Sequence, residues 1–214
     1  STYLCPPDTI GYWRLDEVSG NTVVDSAGSF DGTANGSTPY SDGVFGNGRD
    51  FAGQSDAQHV TLPKAVGDQL MGPQTIAFWI KTTQSTAQHP RHIFTTSDGM
   101  SKAGQYIREW GDSVDWSVTN GSSYCINEAS TSKVLGDQKW HHVALTWDGQ
   151  DGGAYTIYVD GKVDQTGVAA CAQTGSATHA PVMGAFQDGA CGGSGVQCLS
   201  GQLDEFGTWS RALT

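Results

Sequence analysis

Residues 141–161 read HHVALTWDGQDGGAYTIYVDG. In the first half Val143, Leu145 and Trp147 fall on alternate positions. In the second half Tyr155-Thr156-Ile157-Tyr158-Val159 runs straight into Asp160-Gly161. A period of two is the signature of a strand with one buried face, and Asp-Gly supplies the positive φ of a tight hairpin. The same reading extends outward in both directions. Thr75–Ile80 alternates with Ile76, Phe78 and Ile80 on one side, and Val114–Val118 turns Asp115 and Ser117 the other way. Asp-Gly recurs at 31, 42, 98, 148, 151, 160 and 188, and Asn-Gly at 35, 47 and 120. No stretch shows the 3.6-residue period of an amphipathic helix. Many short strands between closely spaced turns predict an all-β domain, a sandwich or a barrel.

Composition agrees. The chain has 214 residues, 29 of them Gly, and seven each of Trp, Tyr and Phe. The aromatics suffice for the core of one domain, which excludes a disordered chain, and the Gly content excludes a helical bundle. The longest apolar run is a few residues, too short to span a bilayer as a helix. Acids outnumber bases 22 to 11, for a net charge of -11. With Lys and Arg scattered, nucleic acid and anionic membrane surfaces are poor partners. The acids are mostly Asp, a residue of turns and of calcium sites.

The five cysteines, Cys5, Cys125, Cys171, Cys191 and Cys198, have no CxxC spacing. Two disulfides and one spare thiol suit a secreted chain, with 15 possible arrangements. The preferred pairs are Cys191–Cys198, closing a Gly-rich loop, and Cys125–Cys171, leaving Cys5 to pair elsewhere. Residues 1–9 read as a linker remnant, 10–214 as one domain, and 176–200 as a long loop. No signal peptide is visible at Ser1, and the sequence stops abruptly at Arg211-Ala212-Leu213-Thr214, so it reads as a mature domain cut from a longer protein.

Several segments occur in a recognisable order. They are IGYWRLDEVSGNTVVDSAGSFDGTANG at 10–36, GVFGNGRDFAG at 43–53, QTIAFWIKT at 74–82, KWHHVALTWDG at 139–149, YTIYVDGKV at 155–163 and GQLDEFGTWSRAL at 201–213. Together they resemble laminin G-like domains of the concanavalin A-like lectin/glucanase superfamily. The resemblance implies a jelly-roll β-sandwich of two curved antiparallel sheets, with the first and last strands side by side so that no long edge stays open. It also implies a structural calcium ion near the joined chain ends. Asp25, Gly28 and Asp31 in the polar loop, with Asp204 from the last strand, are the expected ligands, and Asp16 and Glu205 are reserves. The bare alternative is that these aspartates only brace turns.

Glucanases of the superfamily place two Glu and an Asp on one strand. This chain has only Glu17, Glu109, Glu128 and Glu205, no two within ten residues of each other. Glu109, Asp112 and Asp115 form the nearest cluster, and Gly111 among them suggests a loop with solvated acids. His89 and His92 would need a helix to share a zinc ion, and Pro90 opposes one. His141 has the inward phase of Val143, and His142 the outward one. These readings point away from an enzyme.

Tyr106-Ile107-Arg108-Glu109-Trp110 alternates again. If Ile107 faces the core, Tyr106, Arg108 and Trp110 face outward together, with Arg91 and His92 to extend the patch. Aromatics flanking a guanidinium suit a sugar ring and its hydroxyls. The alternative is that Tyr106 and Trp110 pack under loops while Arg108 pairs with an acid. Trp116 reads as core, Trp79 stays undecided, and Trp13, Trp140, Trp147 and Trp209 read as packing residues. The expectation is a non-catalytic carbohydrate-binding module, lectin-like, monomeric within a secreted bacterial polysaccharide-degrading enzyme, with a polysaccharide or oligosaccharide as partner. Competing readings are a protein- or surface-binding adhesin module and a spacer without ligand.

Overall fold

A computed structural model describes residues 6–36, 39–53, 58–83, 90–97, 101–186 and 197–214. In chain order come β1 (Thr9–Trp13), β2 (Thr22–Val23), β3 (Gly32–Asn35), β4 (Tyr40–Asp42), β5 (Asn47–Ala52) and β6 (His59–Thr61). A short helix, α1 (Lys64–Gln69), precedes β7 (Gln74–Thr82), β8 (Arg91–Thr95), β9 (Ala103–Trp110), β10 (Ser113–Asn120) and β11 (Tyr124–Ala129). Then follow β12 (His141–Trp147), β13 (Ala154–Val159), β14 (Lys162–Val168), β15 (Val182–Met183), β16 (Gln197–Cys198) and β17 (Ser200–Trp209).

The strands form two sheets. One runs β14-β13-β12-β7-β17-β5-β4 with β1 also on β17, and the other runs β11-β10-β9-β8-β15-β6-β3-β2. Pairing is antiparallel throughout, except that the two-residue β16 lies parallel to β8. The alternation read from the sequence sets the register. Val143, Leu145 and Trp147 lie beside Phe78, Ile76 and Gln74, all facing the second sheet. From that second sheet Phe94, Ile107 and Trp116 face back. Phe206 of β17 stacks on Phe78 at 5.4 Å and leans on Phe94 at 5.2 Å, so one ring ties the two layers together. Each such buried ring contributes about 2–3 kcal/mol. A polar pin crosses the same interior: Gln105 donates to Gln74 at 2.7 Å, and the Trp116 indole donates to Gln105 at 3.0 Å.

The chain ends meet as the resemblance implies, with Trp13 opposite Phe206 and Thr9 opposite Trp209. The pairing begins at Thr9, and Asp8 accepts the Ser210 amide, so these two residues of the supposed linker are part of the fold. At the sandwich flank, Cys125 is disulfide-bonded to Cys171 as expected. Cys198 is also disulfide-bonded, but Cys5 and Cys191 lie outside the described residues, and so does the proposed Cys191–Cys198 pair.

Two expectations need correction. Helix α1 exists where no helix was expected. Pro63 supplies the fixed entry φ, Lys64 bridges to Asp68 at 2.7 Å, and the helix buries only Val66 and Gly67, too little to imprint a period. The expected loop 176–200 contains β15, which bridges β6 and β8, and β16. Two-residue strands leave no alternation to read.

Candidate functional site

The β9–β10 hairpin builds the outward patch. Trp110 pairs with Ser113 across Gly111 and Asp112, and Gly111 has φ 64°, the positive φ that a first central hairpin residue needs here. The tight turn fixes the register to the end: Ser117 opposite Tyr106, Asp115 opposite Arg108. Tyr106, Arg108 and Trp110 therefore share the face turned away from the core. The Arg108 guanidinium carbon lies 5.6 Å from the Tyr106 ring centre and 5.8 Å from that of Trp110.

Arg108 is not free to swing. Its Nε donates to Asp115 Oδ1 at 2.7 Å, and Nη2 donates to the same oxygen and to Ser117 Oγ at 2.8 Å. Ser117 in turn bonds Asn127 at 2.9 Å on the next strand. Burial pushes the Asp115 carboxyl up, and the Arg108 charge and hydrogen bonds pull it back. The result is a cationic plane, held in place by a carboxylate, with the Trp110 ring beside it.

Exposure separates the three residues. Trp110 is 52% exposed, whereas Tyr106 is 4% exposed. Phe186 stacks on Tyr106 with ring centres 6.2 Å apart and meets His92 edge-on at 5.0 Å. Tyr106 and His92 therefore form a covered wall, which corrects the expectation of an open Tyr106. Burial and the nearby Arg108 charge lower the His92 pKa to about 3, so its ring is neutral. Arg91 leaves the patch altogether. It pairs with Glu109 in register and reaches Glu109 Oε2 at 3.5 Å and the Thr83 carbonyl at 3.1 Å. His89 lies outside the described residues.

Glu109 is not a solvated loop acid. Gly111 does form the turn, but the strand continues up to it, and the odd phase turns Glu109 inward. It is fully buried and accepts a 3.1 Å hydrogen bond from Thr82 on the opposite sheet. Burial raises its pKa to about 7, against the pull of Arg91 and Thr82. A carboxyl sealed between the sheets cannot meet a polysaccharide. Asp115 projects from the opposite face, so no glycosidase-like pair forms from this cluster.

The expected calcium ligands stand apart. Asp25 Oδ1 accepts the Tyr12 and Ala27 amides at 2.9 Å each, and Oδ2 accepts Phe30 at 3.0 Å. Asp31 accepts the Asp25 amide at 2.9 Å, and a side chain at Gly28 would press on Asp25 Oδ2. These groups brace their own loop. Asp204 binds a different one: its Oδ2 accepts the amides of Val44 and Phe45. Asp16 braces Asn47 at 2.9 Å, and Glu205 accepts the Tyr12 hydroxyl. Among the described residues no group of three or more His, Cys, Asp or Glu converges on a metal position. Asp25 and Asp31 thus brace one loop and Asp204 another, while Asp204 Oδ1 is buried without a hydrogen-bond partner among the described residues.

His141 is hydrogen-bonded as expected, to Asp160 at 2.8 Å and Asp137 at 3.2 Å. Trp116, Trp13 and Trp147 are core. Trp79 and Trp140 are only half-buried, on the outer side of the first sheet, so the packing assignment of Trp140 is corrected.

Residues 53–214 match the laminin G-type family model described as the concanavalin A-like lectin/glucanases superfamily. The chain belongs to this family. C-reactive protein 1.1 of Limulus polyphemus is 40% identical over 143 residues, 65% of this chain and 57% of that protein. Neuronal pentraxin-1 of Homo sapiens is 27% identical over 150 residues, 65% of this chain and 31% of that protein. The chain thus spans less than two thirds of either relative. Among solved structures, the botulinum neurotoxin serotype D binding domain aligns with a TM-score of 0.69 at 14% identity, covering 97% of this chain and 49% of that one. A botulinum neurotoxin DC binding domain in complex with SialylT gives 0.68 at 13% identity, with the same coverage. At 13–14% identity these solved structures show that the fold is shared. Among the described residues no helix is long and apolar enough to cross a membrane.

Proposed function

We propose that the domain is a non-catalytic carbohydrate-binding module that holds glycan against the outer face of β9 and β10. The observation that carries this reading is Trp110. It is a large ring left 52% exposed beside a guanidinium that Asp115 and Ser117 hold still. A pyranose stacks its apolar face on such a ring and offers its hydroxyls to the polar groups alongside. Arg108 donates, and Asn127 lies within the same hydrogen-bonded array. Of the solved relatives, one toxin binding domain is in complex with SialylT and another with rat synaptotagmin II, so this sandwich serves glycan and protein ligands elsewhere. The rigid polar floor here favours the glycan. The parent would be a secreted bacterial polysaccharide-degrading enzyme, and the Cys125–Cys171 disulfide suits the oxidising compartment that requires. The module's gain is local concentration of the enzyme on its substrate.

The test is affinity electrophoresis through gels containing xylan, mannan, β-glucan or pectin, with Trp110→Ala as the control. Retardation by at least one polysaccharide, weakened about 10-fold or more by the substitution, is expected. Retardation that survives the substitution refutes the site. No retardation in any gel, together with no binding on a glycan array, refutes the function.

A further inference from the structure

The outer face of the other sheet contains a cavity of about 350 Å³ that the glycan reading above does not use. Its floor follows from register. Gln202 on β17 lies opposite Asp50 on β5 and opposite Lys81 on β7, so three adjacent strands deliver a carboxylate, an amide and an ammonium in one row. Asp50 and Lys81 alternate with buried neighbours, and Gln202 shares their row beside buried Leu203, so all three face outward. Ser41 donates to Asp50 at 3.1 Å and accepts from the Gln202 amide, which fixes the amide's orientation. Gln138, Ser200, Thr82 and Thr83 add further polar groups, and Pro39, Phe51 and Ala52 add apolar ones.

An indole borders this row. Lys81 Nζ lies 6.0 Å from the centre of the Trp140 ring. A Cβ on Gly48 of β5 would lie 3.6 Å from the far edge of that ring. The ring therefore reaches across the face from β7 toward β5, and Gly48 keeps the floor low beneath it. The aromatic surface continues next door. Trp79 meets His142 at 5.2 Å and Phe45 at 6.5 Å, and Phe45 is 58% exposed.

We infer that this cavity, together with the Trp140 ring that stands just outside its lining beyond Lys81, is a second ligand site for a neutral glycan, with Asp50, Lys81 and Gln202 as hydroxyl partners of one pyranose and Trp140 as the stacking surface alongside. The donor set selects that class. Lys81 only donates, Asp50 only accepts, and Gln202 does both, which matches hydroxyls that do both. A free anion would meet Asp50 and a free cation Lys81, so neither is favoured. The volume lies at the low end of small-ligand pockets, the size of a sugar ring with its hydroxyls. The two sheets pack core to core, so this site and the Trp110 site face opposite ways. One domain would then bridge two glycan chains rather than grip one twice. The inference stands on observations separate from Trp110 and fails or survives separately.

The experiment is a titration of ¹⁵N-tryptophan-labelled domain followed by its indole N–H signals, with Trp140→Phe and Trp110→Phe supplying the assignments. The probes are cellotetraose, xylotetraose, mannotetraose, laminaritetraose and maltotetraose, each to about 10 mM, the weak end for a shallow site. At least one probe is expected to move the Trp140 signal saturably, equally well in the Trp110→Ala protein. Asp50→Ala and Gln202→Ala should each weaken that response about 10-fold, with the other indole signals confirming the fold. A Trp140 signal that no probe moves overturns the site. So does a response that disappears with Trp110→Ala or ignores both pocket substitutions.

Discussion

Glu109 offers a measurement in which a single buried carboxyl sets the sign and the size. It sits fully buried between the sheets against Thr82 and Arg91, with Asp112 a further unfavourable charge nearby. Burial raises its pKa from 4.5 to about 7. The folded chain therefore holds a proton that the unfolded chain has already released over that interval. Its favourable share of stability is complete below pH 4.5 and is lost as pH rises to about 7. The span corresponds to about 3 kcal/mol. Glu109→Gln keeps the shape of the protonated acid and removes the titration. Other groups titrate too: burial lifts Asp204 to about 6 and lowers His92 to about 3, and the second acts in the opposite direction. Both are present in parent and variant, so the difference between the two isolates Glu109. Urea unfolding followed by tryptophan fluorescence, from about pH 4 to about pH 8, should show the parent losing about 3 kcal/mol relative to Glu109→Gln across the window. A difference that stays flat, or that grows in the parent's favour as pH rises, refutes the buried placement of Glu109.

The remaining predictions concern the frame of the patch. Replacing Cys125 and Cys171 together by Ser opens a cross-link spanning 46 residues, which should cost about 4 kcal/mol in a urea titration if chain entropy dominates. Asp115→Ala strands the half-buried Arg108 guanidinium and should cost about 2–3 kcal/mol. The paired change Arg108→Met with Asp115→Leu should recover most of that stability while still abolishing retardation in the polysaccharide gels. If the double variant binds normally, Arg108 has no part in the site.

Some of this architecture is written in the sequence, and the reason is periodicity. A strand with one buried face must alternate, so Thr75–Ile80, Val114–Val118 and the stretch from His141 to Gly161 show both their fold and their inward faces. The same rule put Tyr106, Arg108 and Trp110 on one face. It could not show that Phe186, eighty positions away, closes over Tyr106 and His92, because a cover contributed by another segment leaves no period. Glu109 shows the opposite case. Gly111 marks a turn correctly, but a two-residue hairpin lets the strand run to its edge, so the acid beside the turn is buried. The aspartates of the expected calcium set are a third case. Spacing counts carboxylates, but whether their lone pairs are free depends on which backbone amides the folded loops bring to them.

The outer faces carry the functional argument because nothing in the folding of a sandwich requires large aromatics there. The inner rows must be apolar to exclude water, and they are: Ile76, Phe78, Ile80, Val143, Leu145 and Phe206 are buried completely. Outward positions cost least when filled by small or charged residues, and β14, with Lys162, Asp164 and Thr166 among its residues, is largely of that kind. Trp110 on one sheet, and Trp140, Trp79 and Phe45 on the other, depart from this pattern on strands or at strand ends that are otherwise well fastened. The β11 flank is cross-linked by Cys125–Cys171, and Asp164 holds the chain after β11 through the amides of Thr131 and Ser132. A ring fixed on a rigid strand loses little freedom when a sugar settles on it, which is the condition under which a shallow face can bind at all. Tyr106 shows that an outward ring can still be packed, in its case under Phe186, so what matters is an outward aromatic left uncovered, as Trp110 is. Its outward phase beside an immobilised guanidinium, or beside a row of carboxylate, amide and ammonium, is what a glycan-binding surface requires.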